Sequence, residues 1–404
     1  MKQKLIFIFL LLGCMAQTKD EPIQELNEKE TLTDSLLHQK AIVIDTHNDF
    51  LSTGIEKNKS FDMQLKGVTH SDLNRMKTGG IDIQVFSIFC DEKYGKGRAY
   101  GFANREIDSL YAVVERNPTK MMLVKTPSEL STAVKTEKLG AMIGVEGGHM
   151  IEDRLDYLEA FYNRGARYMT LTWNNSTSWA SSATDERAKN NLGRPYGLTS
   201  FGKEVVKKMN ALGMIVDISH VGEQTFYDAI ATTTKPVIAS HSCTYKICPV
   251  PRNLTDNQIK ALGKNGGVIH LNFYSAFVDS TFKEKNDAFI KRHKAEKNEL
   301  LKNNPSEFYA DLVLHEKYKD EIDGVRPPLS LLIDHLDHIV KLIGVNHVGL
   351  GSDFDGINSS PRELNDVTDM PLITQELVKR GYSKKDIYKI LGGNFIRVFK
   401  ANQK

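Results

Sequence analysis

Short apolar runs, each followed by a longer amphipathic stretch, repeat along most of the 404-residue chain, and this alternation restricts the fold more than any other feature. Eight runs read as strands: 41–46, 81–89, 140–145, 168–173, 214–219, 236–240, 267–273 and 347–352. The first begins with four apolar residues, the pattern of a strand buried on both faces as in a parallel sheet. Helical periodicity fills the intervals at 104–116, 155–163, 201–212, 224–233, 255–265 and 329–343, and two more helices, 372–380 and 384–399, complete an outer layer. Gly165, Gly213 and Gly344 follow helix ends, where a left-handed cap is expected. A β-then-α unit repeated eight times predicts an α/β fold, a closed (β/α)8 TIM-type barrel. A doubly wound open sheet with a second domain is the alternative, and it requires one of the eight runs not to be a strand. The segment 279–326, rich in Lys, Glu and Asn between the seventh and eighth strands, reads as a helical insertion on the barrel rim with a solvated charged face.

The first 14 residues, MKQKLIFIFLLLGC, set Lys2 and Lys4 before an apolar core too short to span a bilayer, as in a secretion signal. Leu11-Leu12-Gly13-Cys14 resembles the bacterial lipobox, whose cysteine is acylated and becomes the first mature residue; a conventional signal cleaved elsewhere is the alternative. Residues 15–35 are polar and suit a tether, leaving 36–404 as a single domain. These features predict a protein of the bacterial cell envelope, lipid-anchored outside the cytoplasm at the periplasmic face or the cell surface. Lys19-Asp20-Glu21 resembles the surface-export signals of some Gram-negative lipoproteins. A net charge of +2 with mixed signs, and no basic block beside aromatic residues, argues against a nucleic-acid partner. Beyond Cys14, Cys90, Cys243 and Cys248 are odd in number and irregular in spacing, which argues against a disulfide framework; none has the setting of a zinc ligand.

Barrel enzymes place their chemistry at the C-terminal ends of strands. Here the first strand ends on His47 and Asp49, which share a face; the third on Glu146 in GVEGG; the fifth on His220 in DISH; the sixth on His241 in IASH; the eighth on Asp353 in GLGSDFDG. Any one of these is also explained as a satisfied polar strand end, but together they form the nitrogen and oxygen donor set of a metal centre. With no thiolate among them the set favours zinc, and manganese or cobalt would also fit. Gly147 and Gly148 allow the backbone to come close beside Glu146.

These motifs, with CPVPRNLTD and the closing GGNFIRVF, resemble in kind and order the membrane (renal) dipeptidases of the amidohydrolase superfamily over nearly the whole mature chain. The resemblance implies a barrel holding two zinc ions, with His47 and Asp49 on one, His220 and His241 on the other, and Glu146 bridging them. Two such ions about 3.5 to 4 Å apart can share a hydroxide and polarise a peptide carbonyl. It further implies that Asp353 carries the hydroxide proton to the leaving amine, the alternative being a more distant hydrogen-bond acceptor. Arg252 would grip the substrate's free α-carboxylate through its guanidinium fork, which confines the enzyme to short peptides. Tyr274 would contact the substrate backbone. One departure stands out: the family has histidine after the fourth strand, in a stretch like LTHN, whereas this chain reads Leu171-Thr172-Trp173-Asn174. Trp173 cannot replace the histidine's charge; its indole donates one hydrogen bond and Asn174 or Asn175 can donate another, so oxyanion stabilisation would take an altered form.

His335 and His338, three residues apart on a helix, read as surface or interhelical residues, and His149 is expected to turn away from Glu146. His38, His70, His270, His293, His315 and His347 carry no functional signal. The expected function is a lipid-anchored, metal-dependent dipeptidase acting on dipeptides with a free carboxylate. The alternatives are another binuclear-metal amidohydrolase, cleaving N-acyl amino acids or lactones, and a non-catalytic surface binding protein on the same barrel. The chain leaves open whether it forms a homodimer.

Overall fold

The structure, a computed structural model, describes residues 34–303 and 307–403. The signal, Cys14 and nearly all of the expected tether lie outside the described residues. Among the described residues nine strands form one sheet: β1 Ile44–Asn48, β2 Ile83–Ile88, β3 Met121–Leu123, β4 Leu139–Glu146, β5 Ala166–Thr170, β6 Ile215–Asp217, β7 Ile238–Ala239, β8 Val268–Leu271 and β9 Val348–Leu350. Every pairing is parallel, and the order β2-β1-β9-β8-β7-β6-β5-β4-β3 is closed on itself by β2 against β4. That closure, in register from Ile83 opposite Gly140 to Ile88 opposite Val145, makes an eight-stranded barrel and leaves β3 outside the ring on the first half of β4. The doubly wound alternative is therefore excluded. β3 was not expected, because three residues carry no readable period.

Strand limits shift where the polar layer begins. The first ladder starts at Ile44 and carries on through His47 rather than stopping at Thr46, since Asp45 and Thr46 have partners inside the barrel: Asp45 accepts from Ser352, and Thr46 Oγ1 donates to the Ser240 carbonyl at 2.7 Å. Apolar side chains of Ile44, Val85, Tyr168, Ile215, Ile238 and Val268 group with Phe395 and Phe399 of the last helix, and a larger cluster includes strand residues such as Phe86, Ile88 and Val145 with residues of the surrounding helices. Each such fully buried side chain contributes about 1.5–3 kcal/mol.

The helices at Leu155–Asn163 and Leu329–Ile343 coincide with the sequence reading. Helix Asp256–Asn265 opens on a capping box between Thr255 and Gln258 and closes on Gly266 in the left-handed region. Gly213 takes the expected left-handed cap, but Gly344 adopts φ +86° with an extended ψ of 161° and leads into the turn Val345–His347. The run expected as one helix over 384–399 is divided: Lys384–Tyr388, a π turn at Lys389–Gly393, then Asn394–Asn402. Gly392 lies against the Ile42 carbonyl, where a Cβ would collide, and Asn394 binds the Val345 and Val348 carbonyls at 2.7 and 2.8 Å, so the helix is wound locally to meet the barrel. Between β8 and β9 lie helices Phe282–Arg292, Lys294–Asn303, Glu307–Lys317 and Lys319–Asp323, with a small apolar cluster of their own around Phe289, Leu314 and Ile322. Among the described residues no helix is long and apolar enough to cross a membrane.

Candidate active site

The C-terminal strand ends bring five of the expected ligands together. Glu146 is the centre: its Oε1 lies 2.9 Å from His220 Nε2 and 3.4 Å from His241 Nε2, and its Oε2 lies 3.3 Å from His47 Nε2. His47 Nε2 is also 3.5 Å from Asp49 Oδ2. His220, Asp353 and Asp355 all hold left-handed backbone, at φ +64°, +63° and +68°, a conformation that disfavours any residue with a Cβ. Neighbours hold it in place: Asp353 donates its amide to the His47 carbonyl, and the Asp355 carboxylate accepts from Ser71 Oγ at 2.5 Å and the His70 amide at 2.6 Å. Gly147, at φ +114°, lets the chain leave β4 beneath Trp173, which glycine alone does without strain.

Hydrogen-bond partners fix the proton on each imidazole. Tyr168 donates its hydroxyl to the Thr46 carbonyl at 3.0 Å, so at 2.8 Å it must accept from His47 Nδ1. Ser240 donates to Asp217 at 2.6 Å and so accepts from His241 Nδ1 at 2.8 Å. His220 Nδ1 donates to the Asn174 amide oxygen at 3.0 Å. All three rings therefore carry the proton on Nδ1 and turn an Nε2 lone pair inward.

That arrangement fits a divalent cation. His220 and His241 Nε2 face each other at 2.9 Å as two lone pairs, and both face the Glu146 carboxylate, contacts that repel unless a positive charge sits among them. His47 Nε2 and Asp49 Oδ1 are buried without a hydrogen-bond partner. His47, Glu146 and His241 form one group able to hold an ion, and His47, Asp49 and Asp353 another. Electrostatics agree. Burial disfavours a cationic His47, yet Tyr168 and the Glu146 and Asp49 carboxylates outweigh it and hold its pKa well above the ordinary value, so their negative field draws a positive charge to Nε2, a proton there or, in its place, a cation on the lone pair. Burial, with the charge of Arg252, lowers His220 to about 3, so this ring stays a neutral ligand. Burial and the Asp49 charge raise Asp353 well above the carboxylate range, while Asn272 Nδ2 donates to its Oδ2 at 2.8 Å.

Three of the ligands, Asp49, Glu146 and His220, line a cavity of about 430 Å³ shared with Asp353, Arg252, Tyr274, Trp173 and Asn174. Arg252 is buried; one Nη donates to the His241 carbonyl at 3.2 Å, its face lies over Phe277, and its Nε has no partner. Burial lowers its pKa to about 10. A buried cation with an unsatisfied N–H calls for an anionic acceptor. Trp173 packs on Phe89 with ring centroids 4.9 Å apart and stands 6.4 Å from the His220 ring. Asn174 spends its carbonyl on His220, so of the two candidate amides it supports a ligand as well as facing the cavity. His149 turns to the Cys90 carbonyl at 2.9 Å, and His335 is fully buried between Thr244 and Val278. His338 pairs with Asp256. Cys90, Cys243 and Cys248 are free and buried.

Tyr168, Asn272, Ser240 and Asp217 were not singled out by the sequence. Tyr168 and Ser240 sit inside apolar runs and read as strand filler. A charged residue within a buried strand, Asp217 in IVDIS, is the signal that points to them.

A closed parallel barrel with imidazole and carboxylate donors around one cavity at its C-terminal rim defines a (β/α)8 protein built on a metal-type centre. The chain belongs to the membrane dipeptidase family, peptidase family M19, whose profile matches residues 33–404. Dipeptidase 3 of Mus musculus and of Rattus norvegicus are each 30% identical to it over 364 residues, 89% of this chain. The chain spans 64% of the length of these curated relatives. Among solved structures, a probable dipeptidase from Pseudomonas aeruginosa superposes with a TM-score of 0.73 at 24% identity, covering 92% of this chain and 97% of that one. A metallo peptidase from Rhodobacter sphaeroides, liganded with a phosphinate mimic of the dipeptide L-Ala-D-Ala, gives 0.71 at 23% identity, covering 90% and 99%. At these identities the superpositions speak for the fold.

Proposed function

We propose that the protein is a metal-dependent dipeptidase cleaving dipeptides that carry a free C-terminal carboxylate. The observation that carries this reading is the convergence of three Nε2 lone pairs on Glu146 beside a buried guanidinium with an unfilled N–H. His47 and Asp49 would hold one divalent cation, His220 and His241 a second, and Glu146 both, with zinc the metal this donor set favours. Bound there, the pair would supply Lewis acidity toward the scissile carbonyl and a water of lowered pKa. The chain's own groups do the rest. Arg252 binds and orients the substrate carboxylate through paired N–H donors. Asp353, steadied by Asn272, takes a proton from the attacking water and returns it to the amine nitrogen as the C–N bond breaks. Trp173 and Phe89 wall the cavity on the Glu146 side and exclude water there, and Tyr274 lines its other edge beside Phe277.

A zinc-loaded preparation should be offered dipeptides (L-Ala-D-Ala among them), their C-terminal amides, N-acyl amino acids and lactones. The expected outcome is turnover of dipeptides and a loss of about 100-fold on amidation. Turnover confined to N-acyl amino acids or lactones would transfer the protein to another amidohydrolase activity. Two equivalents of metal with no turnover would make it a binding protein. We further propose that Cys14 carries the lipid anchor outside the cytoplasm; Cys14→Ser should move the protein from the membrane fraction to the soluble one.

A further inference from the structure

We propose that Asp217 is a positioning residue for the metal centre, acting through Ser240 to keep the His241 proton on Nδ1 and its lone pair on the cation. The inference rests on the metal-centre reading above. Asp217 ends β6 and is fully buried. Its Oδ1 accepts from the Ser240 amide at 2.8 Å and the Ser219 amide at 3.1 Å. Its Oδ2 accepts from Thr170 Oγ1 at 2.5 Å and Ser240 Oγ at 2.6 Å. A serine hydroxyl has one proton. With that proton committed to Asp217, the Ser240 oxygen presents lone pairs toward His241 Nδ1, 2.8 Å away, and the ring has one tautomer that satisfies the contact. The His241 amide is held in turn by Ser219 Oγ at 3.0 Å, which fixes the backbone on which the ring hangs. His47 is set by Tyr168 and His220 by Asn174; of the three ligand histidines, His241 is the one whose tautomer is dictated by a carboxylate one residue removed. Such outer partners raise ligand basicity as well as orienting the ring.

Asp217→Asn offers an amide where two backbone N–H groups and two hydroxyls now converge. Ser240 then turns its proton toward Nδ1, and His241 is left with its proton on Nε2, against the cation. Ser240→Ala removes the relay while leaving the Asp217 contacts to Thr170 and Ser219 in place. Both variants should bind zinc about 10–100-fold more weakly at one of the two sites, read by competition with a chromophoric chelator. Nitrogen NMR of the metal-free protein should show His241 shifting from the Nδ1–H to the Nε2–H form. Thr170→Val, which removes a donor to Asp217 outside the relay, should retain zinc affinity. A strand staple alone would lower the thermal midpoint without moving affinity or tautomer. Wild-type zinc affinity in folded Ser240→Ala would overturn the proposal, and this variant decides the matter if Asp217→Asn does not fold. Because the readout is binding, a wild type that holds two zinc ions without cleaving any dipeptide would sink the activity and leave this inference standing.

Discussion

At the scale of single residues the site divides labour between groups that hold charge and groups that hold those groups. Asp353→Asn keeps the shape and the Asn272 contact but cannot take up a proton, so kcat should fall about 10²–10⁴-fold while metal content, read by mass spectrometry, stays at the wild-type value. Metal loss in that variant would instead make Asp353 a ligand, as its closeness to His47 and Asp49 permits. Arg252→Lys retains the charge and loses the fork; kcat/KM on dipeptides should drop about 100-fold, with C-terminal amides little changed. Equal losses on both would remove Arg252 from carboxylate recognition. The ligands and Asp353 were legible in the sequence because a strand end is a place the alternation itself locates, and His47, Glu146, His220, His241 and Asp353 each stand at or just past the end of a largely apolar run. Their proton-fixing partners were not. Tyr168 reaches His47 across 121 residues, and nothing in its own strand distinguishes it from a core tyrosine.

Elements show the same split between local and distant causes. Helix Leu329–Ile343 was readable to its ends, yet the role of His335 on it depends on two segments it meets only after folding. Its Nε2–H donates to the Val278 carbonyl at 2.9 Å, and its Nδ1 accepts from the Thr244 amide at 3.1 Å, so protonation would set two donors face to face. Burial lowers its pKa from 6.5 to about 4. The unfolded chain thus binds a proton between those values when the folded one does not. Stability from this site is complete above pH 6.5, declines as pH falls toward 4 by about 3 kcal/mol in all, and is flat below. Urea melts from pH 7 to 4 should show this slope in wild type and a shallower one in His335→Gln; parallel slopes would exclude the residue. Packing at strand ends is equally strict. Gly351 follows β9 with its α-carbon against the Ser240 carbonyl, so Gly351→Ala should cost about 2–4 kcal/mol by denaturant midpoint. The short β3 and the π turn escaped the sequence reading because both are imposed by neighbours, β4 in one case and the Ile42 carbonyl in the other.

For the whole molecule, the centre gathers side chains from β1, β4 and the segments after β6 and β7, so a bound cation ties together strands on opposite sides of the ring. Chelation should lower the thermal midpoint by roughly 5–10 °C, and zinc should restore it; an unchanged midpoint would mean that the described residues hold no ion of consequence. The barrel itself was legible because its eight repeats follow one another in space as they do in sequence, whereas its last helix was foreseen only as part of an outer layer. That helix, Asn394–Asn402, runs beneath the strand starts: Arg397 binds the Gly266 carbonyl, Asn402 that of Pro236, and Gln403 that of Gly213. The segments leading into β6, β7 and β8 are thus fastened by Arg397, Asn402 and Gln403, and β1 finds one of its two partners, β9, about 300 positions later. A nascent chain cannot complete this cylinder until β9 has left the ribosome, and up to that point the half-built sheet exposes two unpaired edges.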